Sequence, residues 1–130
     1  KGQQLIKQVP EGSELEAEIK QVIMVASQNW KVATAALDSA KESLSMLGTA
    51  SNPDLAKDYA LLTTVNSDVA LSGAKVVQIS LLFVEAAAGN KTESLDVIRG
   101  AMYEAVTSAE QVQMSNERVK KLISQKYSKQ

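Results

Sequence analysis

Apolar residues recur in this chain at alternating steps of three and four, and the pattern appears three times. The first run reads Ile19, Ile23, Ala26, Trp30, Ala33, Leu37, Ala40, Leu44 and Leu47. The second reads Leu55, Leu62, Val65, Val69, Ser72, Val76, Ile79, Phe83 and Ala86, and the third Leu95, Ile98, Met102, Ala105, Ala109, Val112, Asn116, Val119 and Ile123. A seam of this mean spacing stays on one helix face only when long helices wrap gently around their neighbours. The pattern predicts an all-α fold: an antiparallel up-down-up bundle of three long helices with coiled-coil-like packing.

Local signals set the boundaries. Ser13 and Glu16 have capping-box spacing, and Glu11, Glu14 and Glu18 suit the positive end of a helix dipole. The first helix is therefore expected over about 13–47, with Gly48 as a left-handed C-cap. Asn52 followed by Pro53 reads as an N-cap with proline at the first helical position, opening a helix over 53–88. Thr92 caps the third, over 92–126, whose last turns carry Lys120, Lys121 and Lys126. Gly100 weakens that helix from within. Residues 1–10 hold Leu5 and Ile6 but end in Pro10, so they read as an N-terminal arm beside a bundle domain of 11–130.

The two turns also fix which residues lie level. Trp30 falls beside Ser72 and Gly73, and these fall beside Ala109, so the single indole is expected in the core against the smallest residues of the other helices. Three further layers follow: Ile19, Phe83 and Ile98; Ile23, Ile79 and Met102; Ala40, Leu62 and Val119. Asn116 comes level with Leu37 and Val65, near Asn66. Either the two amides pair inside, or both reach water at the edge of the seam, and the second is expected because a buried asparagine costs stability unless paired.

Two stretches carry more apolar surface than a three-helix seam uses: Val22-Ile23-Met24-Val25 and Leu81-Leu82-Phe83-Val84, with Val76 and Val77 nearby. Both lie toward the same end of the bundle. A helix that is apolar all round is normally buried all round. The expected interaction residues are therefore Val22, Met24, Val25, Val77, Leu81, Leu82 and Val84, covered by the arm, a second copy of the chain or another protein.

Composition narrows the chemistry. The 130 residues contain no cysteine and no histidine, which removes disulfides, thiolate ligands, the commonest metal ligand and the commonest general base. No gly-rich phosphate loop or nucleophile elbow is present, and no motif is diagnostic of a family. No cofactor, metal site or catalytic residue is expected, and the chain does not read as an enzyme. A net charge of -1 gives no global attraction to nucleic acid. The longest apolar stretch, Val76 to Ala88, is broken by Gln78, Ser80 and Glu85, so no transmembrane segment is read, and contact with lipid at a membrane surface is the membrane role left open. The sequence points to no compartment.

The expectation is a non-enzymatic bundle acting through protein–protein interaction or self-association at its apolar end. The alternative is a carrier or membrane-surface protein that binds an apolar ligand or lipid, which requires a large enclosed apolar cavity.

Overall fold

The computed structural model describes residues 14–89 and 92–128. They form three helices: α1 over Glu14–Gly48, α2 over Pro53–Ala88 and α3 over Thr92–Ser128. At 35, 36 and 37 residues, each rises about 50–55 Å at the usual pitch. No strand occurs among the described residues. The expected arm, Ser13 and the second turn at Asn90 lie outside the described residues, as does the side chain of Thr92.

The first turn behaves as its residues dictate. The Asn52 side chain accepts a 2.8 Å hydrogen bond from the Leu55 amide, and Pro53 opens α2 where its missing N–H costs nothing. Gly48, in contrast, is the last residue of α1 and does not adopt the left-handed conformation. The chain leaves α1 through tight turns instead, with the Thr49 amide donating to the Met46 carbonyl at 3.1 Å and the Thr49 hydroxyl to the same oxygen at 3.2 Å.

α2 is the middle element, with α1 packed along one side and α3 along another. Among the described residues no Cα of α1 comes within 8 Å of one of α3, so those two helices meet only through side chains. This position accounts for the apolar character of α2, which carries an 18-residue window of mean hydropathy 1.6 and is long and apolar enough to cross a membrane by length and composition. The sequence expectation that no segment qualifies is corrected to that extent.

One core cluster joins all three helices: Ile19 and Val22 from α1, Phe83, Val84, Ala86 and Ala87 from α2, and Leu95 from α3. Ile98 packs against it, which realises the expected layer of Ile19, Phe83 and Ile98. The expected layer of Ile23, Ile79 and Met102 is divided, because Ile79 packs on a second cluster of Val76, Ala105 and Ala109.

The core face of α1 differs from expectation. Trp30, Leu37 and Leu44 are exposed, at 58%, 46% and 57%, whereas Ala36 and Ser43 are buried beside Ala33 and Ala40. Trp30 is not wedged against Gly73. A Cβ on Gly73 would stand 2.9 Å from the Ala33 Cβ and 2.9 Å from the Asn29 carbonyl oxygen. The level is right and the face is wrong: α1 is rotated so that its smaller residues meet α2. The physical reason is close approach, since a glycine against an alanine lets two helix backbones come nearer than an indole permits and gains contacts along their length.

Candidate interaction surface

The seven residues expected at the interface divide into two groups. Val22 and Val84 lie in the main core cluster at 5% and 1% exposure, so they are corrected to core residues: the bundle itself covers them. Val25 and Val77 are half-buried. Met24, Leu81 and Leu82 are exposed.

A larger apolar surface lies next to them, and the sequence reading had assigned it to the interior. Ile23, Trp30, Leu37 and Leu44 stand seven residues apart, so they share one face of α1; the last three are exposed, while Ile23 is half-buried and also packs on the main core cluster. The opposite flank of α1 lines the grooves toward α3, through Gln21 and Val25 at one end and Val32, Ala35 and Ser39 further along. The tryptophan face therefore looks away from α3, beside α2. On α2, the positions turned away from α3 are Ala74, Val77 and Leu81 at the levels of Ile23 and Trp30, Ala70 near Ala33, and Ser67 and Thr63 at the levels of Leu37 and Leu44. These are half-buried or exposed. The outer groove between α1 and α2 is thus apolar on both walls around Ile23 and Trp30, and apolar on the α1 wall with Ser67 and Thr63 across from it at Leu37 and Leu44. The signal that locates it is in the sequence, since α1 carries two adjacent seven-residue apolar repeats, of which one faces the core.

Between α1 and α3, above Phe83, a groove of about 310 Å³ is walled by Val22, Val25, Met102 and Val106 and edged by Glu18, Arg99 and Tyr103. It is a surface groove open to solvent, unlike the enclosed cavity that the carrier reading requires. Arg99 spans its rim. Its Nε and Nη2 donate to the two carboxylate oxygens of Glu18 at 2.8 and 2.7 Å, and Nη1 donates to Asp96 at 2.7 Å. The guanidinium lies 5.6 Å from the centre of the Phe83 ring. Hydrogen bonding to Glu18, then Asp96, holds its pKa above the ordinary value. From sequence, Glu18 is assigned only to a helix dipole; the cation that it shares with Asp96 ties α1 to α3.

Deeper in the bundle Asn66 and Asn116 are buried, and Asn116 Nδ2 donates to Asn66 Oδ1 at 3.1 Å. The expectation that both amides reach water is overturned. At the far end, Asp58 of α2 accepts from Lys126 Nζ at 3.0 Å and from the Tyr127 hydroxyl of α3.

No cluster of three or more acidic residues that could hold a metal ion occurs among the described residues. No family model, curated protein or solved structure matches this chain. The functional reading therefore rests on the surface itself.

Proposed function

We propose that this chain is a non-enzymatic helical-bundle protein that works by protein–protein contact, and that its contact surface is the outer α1–α2 flank. The observation that carries the reading is the exposure of Trp30, Leu37 and Leu44 at seven-residue spacing on one face. Burying an exposed side chain of this size is worth roughly 1.5–3 kcal/mol. With each of the three about half exposed, the isolated chain forgoes about half of that gain at each along one line while burying alanine and serine on the adjacent face. Scattered exposed leucines are ordinary, but a continuous apolar line beside a half-buried second wall is the pattern of a binding surface. Met24 and Leu81 border it, so part of the apolar end belongs to the same surface.

A photoreactive side chain at position 37 tests this, with position 103 on α3 as the control, both in extracts of the cells that make the protein and with the pure chain at rising concentration. Capture of protein at 37 and not at 103 is expected. Equal capture at both positions, or capture of lipid alone, overturns the reading.

A further inference from the structure

The partner can be named if the outer α1 face is compared with its own reversal. Resting on the reading above, we propose that the flank is covered by a second copy of this chain, α1 against α1 in antiparallel, about a two-fold axis near Thr34. Reversing the line Ile23, Trp30, Leu37, Leu44 about its midpoint sets Ile23 opposite Leu44 of the second copy and Trp30 opposite its Leu37. Every apolar residue meets an apolar residue, and each pairing occurs twice, as a two-fold interface requires.

Charge follows the same reversal. Lys31 and Asp38 are exposed and lie on the next strip outward on the same helix. Reversal sets Lys31 opposite Asp38 of the second copy and Asp38 opposite its Lys31, which gives two reciprocal ion pairs at the rim. The centres of the apolar and charged mappings differ by one residue, so in the apolar register Lys31 lies two residues from Asp38 of the second copy, about 3 Å of helix rise, a distance that a lysine side chain spans. Between the large residues, Ser27 and Thr34 leave room for close approach, with Thr34 near the axis, while Lys41, the next residue of that row, is exposed and carries its charge past the edge of the strip on a long flexible stem.

The size of the flank fits. From Ile23 to Leu44 the helix rises about 32 Å. With α2 alongside at a usual spacing of 8–10 Å, the strip is about 20 Å wide. Its flat outline is about 600 Å², and a ridged helical surface exceeds its outline, so the flank approaches the ~800 Å² per partner of a stable interface. The net charge of -1 adds little repulsion between copies.

Sedimentation equilibrium of the full chain over a wide concentration range decides the matter, with helicity by circular dichroism confirming that each variant folds. A monomer–dimer equilibrium is expected. Leu37→Glu should weaken it about 100-fold by placing a carboxylate at the centre of the apolar strip. Lys31→Glu and Asp38→Lys should each weaken it about tenfold as homodimers. An equimolar mixture of those two variants should associate as tightly as the original chain, because both rim pairs then join opposite charges.

A monomer at every concentration, with position 37 still capturing another protein, overturns the second copy and leaves the binding surface in place. A monomer with no capture at 37 overturns both. A dimer indifferent to Leu37→Glu, or single-charge variants that fail to recover on mixing, overturns the antiparallel arrangement.

Discussion

Gly73 and Asn116 show how single residues set the geometry. At Gly73 the obstacle to a side chain is an alanine Cβ and a backbone carbonyl, neither of which can swing aside. Gly73→Ala should therefore destabilise the bundle by about 1–3 kcal/mol, despite the better helix propensity of alanine. Urea denaturation of the two proteins measures this. An unchanged midpoint would mean that α1 moves away at little cost. Asn116 poses a different question, because its Oδ1 is buried without a hydrogen-bond partner while its Nδ2 serves Asn66. Asn116→Val removes the donor and strands the Asn66 oxygen, at a cost of about 1–3 kcal/mol. Replacing both amides, Asn66→Val with Asn116→Val, should cost less than the single change, since no polar atom is then stranded. If the double variant is the weaker, the amide pair itself stabilises the fold.

Among the helices, α3 was the most legible and α1 the least. None of the nine seam residues read for α3, from Leu95 to Ile123, is exposed, and the same holds for the nine read for α2. In α1 three of the nine positions were misplaced: Ile19, Ile23, Ala26, Ala33, Ala40 and Leu47 lie inside or half-inside, but Trp30, Leu37 and Leu44 do not. Periodicity establishes that a segment is a helix and how its level matches its neighbour. It does not fix the rotation when two apolar repeats stand side by side, and choosing the larger side chains selects the wrong one where close approach decides. The tryptophan line consequently reads as core from sequence, and of the expected interface Met24, Val25, Val77, Leu81 and Leu82 stay outside the deep core while Val22 and Val84 do not. The amide pair was misread for a related reason, since a buried asparagine is costly unless its partner is known to be in reach. α3 also carries a local weakness that sequence and structure agree on. Gly100 is exposed inside the helix, and a Cβ there would touch nothing within 4 Å. Gly100→Ala should raise stability by about 0.5–1 kcal/mol, seen as a higher thermal midpoint. A lower midpoint would mean that the α3 backbone departs from helical geometry at this residue.

Across the whole molecule, side-chain ties at opposite ends hold the three rods in register: Arg99 joins α1 and α3 near the Phe83 core, and Asp58 joins α2 to Lys126 and Tyr127 of α3. The far-end tie makes stability depend on pH in a definite direction. Hydrogen bonds from Tyr127 and then Lys126 hold the Asp58 carboxyl below its ordinary 3.8. A depressed acid contributes stability above its unfolded pKa and loses it as pH falls through the folded value. The bond to Asp58 raises Tyr127 above 10.0 and Lys126 above 10.5, so their contribution is present below those values and disappears as pH rises through the raised ones. The difference in thermal midpoint between the original chain and Asp58→Asn should therefore form a plateau across neutral pH, shrink below about pH 4 and shrink again above about pH 10. Hydrogen exchange should place the loss at the ends of α2 and α3 that the tie joins, leaving amides around Ile19 and Phe83 as protected as before. A difference constant from pH 2 to 11 would show that Asp58 acts through packing, and a loss spread evenly over all three helices would show that the bundle opens as one unit.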